Sequence, residues 1–297
     1  MRFGFLIAAV LIIGGIIFWK DISGIVKSAS TDKNEMKKED GSEYAAKSSA
    51  DVIIREKWDL PGELKEVSGI VYLDNNRFAC IQDETGTVYI YNRSSNKIEK
   101  EIPFAGAGDF EGITMKEQTL FVVRADGQLY EVPMDGKGTV KTYETPLTAE
   151  HNIEGLCYDK NGDRLLLAIK GNEPGNRNYK GIYAFELASK KMTTEPVIKI
   201  DLGHQLLQST GKKKKTIMPS AIGLHPVTNE LFVVDGPGSK LLIMDADGTM
   251  KRLVVLGKDF AQPEGISFSP DGKIFISNEG TKQPGNIYQV SFNEGNE

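Results

Sequence analysis

The hydrophobic positions of the chain fall into two regimes. Residues 3–19, FGFLIAAVLIIGGIIFW, form one uncharged apolar run. From Val52 onward the apolar residues come instead in short β-branched and aromatic runs, separated by Gly, Asn, Asp and Pro, without a long stretch of helical period. Residues 21 to about 50 are rich in Ser, Lys, Asp and Glu and hold few large apolar side chains, too few to build a core of their own. This pattern predicts an all-β domain over 51–297, a transmembrane anchor over 1–20 and a flexible tether over 21–50.

Within the all-β part the chain repeats itself. Ser68-Gly69-Ile70, Glu111-Gly112-Ile113, Glu154-Gly155-Leu156, Ser220-Ala221-Ile222 and Glu264-Gly265-Ile266 each open a strand, at spacings of 43, 43, 66 and 44 residues. Periods of about 40 to 45 residues match a four-stranded propeller blade. The long interval marks an insertion near His204 to Met218. Second strands follow at Arg77, Thr119, Arg164, Glu230 and Lys273, third strands at Thr87, Gly127, Gly181, Lys240 and Asn286. Fourth strands follow in units one to four, but the fifth unit ends after three. VIIREKWDL from Val52 has no place in the first unit. The expected fold is therefore a five-bladed β-propeller in which the N-terminal strand closes the last blade.

The apolar run of 3–19 would span about 25 Å as a helix, near the ~30 Å hydrocarbon core, and Trp19 and Lys20 suit an interface. Only Ser28-Ala29-Ser30 resembles a cleavage site. Arg2 and the α-amino group precede the run, while Lys20 and Asp21 cancel after it. That bias predicts a cytoplasmic N-terminus and a propeller on the extracytoplasmic, periplasmic or cell-surface side. Net charge is −5, from 36 basic and 41 acidic residues, so no basic field recommends a nucleic-acid partner. The two cysteines, Cys80 and Cys157, lie inside apolar strands and read as small core residues.

In a propeller blade the first strand lines the channel and successive strands alternate direction. First-strand starts and second-strand ends therefore share one mouth. The starts supply Ser68, Glu111, Glu154, Ser220 and Glu264, and the ends supply Asp83, Arg124, Lys170, Asp235 and Glu279. Carboxylates crowd this mouth, and crowding raises their pKa values unless a cation or donors compensate. All available ligands are oxygens, so a bound ion would be hard, calcium rather than zinc. The expected metal ligands are Glu111, Glu154, Glu264, Asp83 and Asp235. The alternative is that Arg124 and Lys170 pair with Glu111 and Glu154, while the repeated Glu and Ser accept hydrogen bonds from neighbouring blades. His151, His204 and His225 make no spaced pair. No G-x-S-x-G elbow, Walker A loop or HExxH helix occurs. Lys212 to Lys215 form a run inside the insertion, a solvated loop or a contact for anionic lipid or cell-wall polymer.

The ordered set Val67-Ser68-Gly69-Ile70, Phe110-Glu111-Gly112-Ile113, Ile153-Glu154-Gly155-Leu156, Pro219-Ser220-Ala221-Ile222 and Pro263-Glu264-Gly265-Ile266 resembles the SdiA-regulated family of bacterial propeller proteins, over about Val52 to Phe292. The resemblance implies a membrane-anchored five-bladed propeller, distantly similar to NHL-repeat propellers, with a calcium site. It implies no known reaction, and the Lys-rich insertion does not map onto the family pattern. Two functions stay open. One is a calcium-binding module that takes a small molecule, polymer or protein at the channel mouth. The other is a calcium-dependent hydrolase of esters or lactones, in which the metal would polarise a carbonyl.

Overall fold

The structure is a computed structural model that describes residues 52–208 and 216–293. The expected anchor and tether, and the run Lys212 to Lys215, lie outside the described residues. No helix among the described residues is long and apolar enough to cross a membrane.

The described residues form five antiparallel sheets, one per repeat. Blade one holds β2 (Val67–Asp74), β3 (Arg77–Gln82), β4 (Thr85–Asn92) and β5 (Lys97–Ala107). Blade two holds β6 (Phe110–Lys116), β7 (Thr119–Arg124), β8 (Leu129–Pro133) and β9 (Lys141–Tyr143). Blade three holds β10 (Ile153–Asp159), β11 (Arg164–Ile169) and β12 (Tyr179–Glu186). Its outer edge is split between β13 (Lys191–Met192) and β14 (Ile198–Asp201), both paired to β12. Pro196 lies in the break between the two pieces and has no N–H to donate to a ladder. Blade four holds β15 (Pro219–Leu224), β16 (Leu231–Asp235), β17 (Lys240–Met244) and β18 (Met250–Val255). Blade five holds β19 (Pro263–Phe268), β20 (Ile274–Asn278) and β21 (Asn286–Phe292).

The missing strand of blade five is β1 (Val52–Asp59), which pairs antiparallel with β21 from Val52 opposite Phe292 to Asp59 opposite Asn286. The expected ring closure is thus present. It satisfies the backbone of β21, which would otherwise be an open sheet edge. Trp58 packs its ring against Phe275 and carries the Arg93 guanidinium 4.5 Å from its ring centre, so the closing strand ties blade five to blade one.

Strand alternation sends apolar side chains to both faces of every sheet, and each face is buried against the next blade. The result is five hydrophobic cores, each shared by two neighbours, the last joining Ile287 and Phe275 of blade five to Phe78 and Tyr91 of blade one. The insertion joins this packing. After β14 a short helix, α1 (Gln205–Gln208), buries Leu206 and Leu207, and Ile217 follows, all in the core between blades three and four.

Candidate functional site

The repeated tripeptide has a structural cause that the spacing alone did not reveal. In all five blades the pairing of first and second strand slips by one residue at the tripeptide: between Val67 and Gly69, Phe110 and Gly112, Ile153 and Gly155, Pro219 and Ala221, and Pro263 and Gly265. The residue skipped is Ser68, Glu111, Glu154, Ser220 or Glu264. A β-bulge releases a residue from the ladder and re-aims its side chain. Here it brings Ser68, Glu111, Glu154 and Glu264 to the channel, while Ser220 turns to the neighbouring blade. The glycine that follows lets the blades close together: a Cβ on Gly112 would sit 2.7 Å from both the Glu154 carbonyl oxygen and the Leu156 Cβ of the next blade.

The serines and the glutamates at this position do different work. Ser68 donates its hydroxyl to the Phe110 carbonyl at 2.7 Å, and Ser220 to the Pro263 carbonyl at 2.8 Å, each stapling its blade to the next. They donate to neighbouring carbonyls, whereas the alternative to a metal site has them accepting from N–H groups, because the bulge points the hydroxyl at the next blade's first carbonyl.

Glu111, Glu154 and Glu264 line one cavity of about 10 Å³ at the channel axis, together with Ser68. Lys170, from the turn after β11, reaches into this group. Its Nζ lies 2.6 Å from Glu154 Oε2 and 4.0 Å from Glu264 Oε2. Glu154 is 3% exposed and also accepts from Asn152 Nδ2 at 2.7 Å. Burial alone would lower the pKa of Lys170, but Glu154, Glu264 and Glu111 outweigh it and hold the ammonium above its ordinary value.

Burial pushes Glu111 up to about 9, helped by the Glu154 charge and by the Asp109 carboxylate, to which it is hydrogen-bonded, and opposed by Lys170. Glu111 therefore keeps its proton at neutral pH. Burial likewise raises Glu264 to about 7 against the pull of Lys170, with Glu154 and Glu279 adding to the rise. Burial also raises Glu154, and the charge and hydrogen bond of Lys170 pull it back. The crowding foreseen from the sequence is relieved from within, by a lysine and a proton.

Asp83 and Asp235 do not join this group. Asp83 stands on the rim, where burial, Glu66, Glu84 and Asp109 raise its pKa. Its Oδ1 is buried and has no hydrogen-bond partner among the described residues. Asp235 is 1% exposed and faces Lys240, opposite it in register, whose Nζ is 3.1 Å away; the Gly238 N–H donates to its Oδ1 at 2.9 Å. That carboxylate is enclosed within blade four. Arg124 forks onto Asp126 at 2.6 and 2.9 Å rather than onto Glu111. Of the two expected pairs, only Lys170 with Glu154 forms.

Among the described residues no three His, Cys, Asp or Glu side chains converge as a metal ion requires. With the Lys170 ammonium 2.6 Å from Glu154 and 4.0 Å from Glu264, the position between these carboxylates is already filled by a cation, and the donor set as it stands does not fit calcium, which takes six to eight oxygens.

Outside the channel group the mouth is acidic. Glu279 has its pKa raised by burial, then by Asp83 and Glu66, against Lys170 and Lys65, which places these side chains on one rim. Two participants were not singled out from sequence. Lys180, 4% exposed, donates to the carbonyls of Lys170 and Gly171, and so fixes the turn that carries Lys170. Glu173 is 6% exposed and accepts from the Tyr183 hydroxyl at 2.8 Å. A lone lysine in an otherwise apolar third strand was the available signal for the first; for Glu173, in a loop of mixed polarity, there was none. The histidines are structural: His225 packs against Phe232 and Phe268, and His151 Nδ1 accepts from the Thr148 N–H. Cys80 and Cys157 are free and buried.

Fold and site define a five-bladed β-propeller with a bulge-built carboxylate group at one mouth of its channel. The chain belongs to the SdiA-regulated family, whose model matches residues 45–279. Curated proteins give no match. Among solved structures, it is similar to the glutaminyl cyclase of Myxococcus xanthus at 15% identity, over 81% of this chain and 96% of that one, with a TM-score of 0.59. It is also similar to a Bacteroides thetaiotaomicron protein of unknown function at 12% identity, over 84% of this chain and 75% of that one, with a TM-score of 0.50. At such identities the likeness speaks for the fold.

Proposed function

We propose that this protein is a binding module, tethered by residues 1–20 to the outer side of the cytoplasmic membrane, that takes an amine-bearing ligand at its acidic mouth. The observation that carries this reading is the acidic rim. Glu66, Glu84 and Asp109 act on Asp83, and Asp83 and Glu66 on Glu279, where Lys170 and Lys65 oppose them; Asp83 Oδ1 is buried with no donor among the described residues. The channel group below already accommodates one ammonium, that of Lys170, so the chemistry suited to the rim is a second. Long-range attraction to such a mouth is screened by salt.

The test is titration of the full chain in neutral detergent with trilysine. Saturable binding is expected, weaker as salt rises, and reduced about tenfold or more, or ~1.4 kcal/mol, by Asp83→Asn with Glu279→Gln. Equal affinity in that double variant contradicts the proposal. Calcium is the other cation the rim would attract, and a calcium-dependent gain in melting temperature that survives 1:1 addition of trilysine would favour it instead.

A second reading, catalysis, rests on one observation. Glu111 keeps its proton while Glu154 is paired with the Lys170 ammonium, so an acid and a carboxylate face one channel. Turnover of an ester, lactone or glutaminyl-peptide panel, abolished by Glu111→Gln, would support it. Loss of that turnover on chelation would make it calcium-dependent.

A further inference from the structure

The channel has a second chamber, on the far side from the carboxylates. The residue after each bulge and its following glycine, or Ala221 in blade four, is Ile70, Ile113, Leu156, Ile222 or Ile266; it turns inward, and the five form an aliphatic collar with every member at most 6% exposed. The space left between collar and carboxylates is about 10 Å³, room for about one water at most. The collar therefore ends the acidic mouth and also floors a cup that opens at the opposite face.

That cup has a volume of about 390 Å³ and draws its walls from the first strands of all five blades. Every residue lining it is uncharged. Tyr72, Tyr158 and Phe268 are among the lining residues; the Tyr72 ring also packs on Phe78 and Phe275, the Phe268 ring on His225 and Phe232, and the Lys116 ammonium lies 5.5 Å from the Tyr158 ring centre. Besides the hydroxyls of Tyr72 and Tyr158, which donate to Asn75 and Asp163, the lining residues carry two more, on Thr114 and Ser267. Thr114 Oγ1 accepts from the Tyr158 N–H at 3.0 Å, and Ser267 Oγ accepts from the Tyr72 N–H at 2.8 Å. Each hydroxyl oxygen is thereby held in place with its own O–H still to offer, a pair of potential donors in an uncharged wall.

We propose that this cup is a binding site for a compact, neutral aromatic molecule bearing a hydrogen-bond acceptor. The volume falls in the range of small-molecule pockets, about 300 to 1,000 Å³, and the closed floor suits a molecule that inserts rather than a chain that passes through. The rings offer edge and face contacts to an aromatic ligand. The uncharged lining disfavours ions, because a charge placed there loses hydration with no oppositely charged side chain among the lining residues. The hydroxyls of Thr114 and Ser267 orient the ligand through a carbonyl or ether oxygen.

The probe is Prodan, a neutral naphthalene ketone whose emission shifts in apolar surroundings, titrated into the full chain at fixed detergent with empty micelles as blank. Saturable binding at one probe per chain is expected, with competition by acetonaphthone. Met115→Trp and Leu224→Trp, each placing an indole from the cup's wall into its space, should each weaken binding about tenfold or more. Each variant is checked by its far-UV spectrum, and the acetonaphthone competition decides the matter alone if both misfold. Anilinonaphthalene sulfonate, similar in size but anionic, should bind at least about tenfold more weakly than Prodan. Asp83→Asn with Glu279→Gln should leave Prodan binding unchanged, which keeps this site separate from the acidic mouth. Absence of competition, equal binding in both folded tryptophan variants, or equal affinity for the sulfonate overturns the proposal.

Discussion

Replacing Glu111 by Gln tests how the carboxylate group is neutralised. In the unfolded chain a glutamate titrates near 4.3, and in the folded protein Glu111 titrates near about 9. Between those values the native state holds a proton that the unfolded state releases. The unfolded state then binds fewer protons, so stability falls as pH rises. The slope is about 1.4 kcal/mol per pH unit for one proton, so between pH 5 and pH 8 Glu111 removes at most about 4 kcal/mol. Gln keeps the shape and the amide can still bond to Asp109, but it carries no proton to lose. The stability of Glu111→Gln relative to wild type should therefore improve with pH, by up to about 4 kcal/mol over that interval. Urea unfolding of both chains at matched pH values reads this difference together with any shift it causes in Glu154, Asp109 and Lys170, since titrations away from the channel group cancel between them. Parallel stability curves from pH 5 to pH 8 would refute the protonated Glu111.

Other consequences follow from the same geometry. Lys170→Met leaves Glu154, 3% exposed, without its ammonium, and should cost about 3 to 5 kcal/mol at pH 8. The loss should shrink toward pH 5, where Glu154 can protonate; a pH-independent loss in urea unfolding would argue for packing alone. Asp235→Asn breaks a pair whose lysine is fully buried and should destabilise the chain by a similar amount without changing trilysine affinity. Removing Val52 to Asp59 opens the edge of β21 and strips Trp58 from Phe275, so melting should fall by many degrees or folding fail; an unchanged melting temperature would contradict ring closure by β1. Protease added to intact spheroplasts should remove the propeller, and protection would contradict its placement outside the cytoplasm.

The blades were legible because a repeated tripeptide at near-constant spacing records a repeated packing problem: Gly112 and its equivalents admit the next blade's backbone. The closing role of Val52–Asp59 was legible as a strand left over beside a blade one strand short. The bulge was not, since a one-residue slip leaves no mark in the alternation of so short a strand, and with it the inward aim of Ser68, Glu111 and Glu154 stayed unexplained. Position along a strand placed Asp83 and Asp235 at a mouth, but it does not say where a side chain turns. Asp235 turns to Lys240, five residues on, because the hairpin sets the two in register inside one blade. Lys170 was visible as a cation near the glutamates, while its reach from blade three toward Glu264 in blade five depends on the curvature of the ring. The break in the outer edge of blade three lay hidden in a stretch, Lys191 to Asp201, with enough apolar residues to pass as one strand.

What balances the channel glutamates can be read in one measurement without an intermediate assumption. A crystal of the chain grown at neutral pH and soaked in calcium, measured at a wavelength where calcium scatters anomalously, should show no peak among Glu111, Glu154 and Glu264, with the Lys170 ammonium still beside Glu154. A peak at the centre of those three carboxylates, with Lys170 turned away, would contradict it.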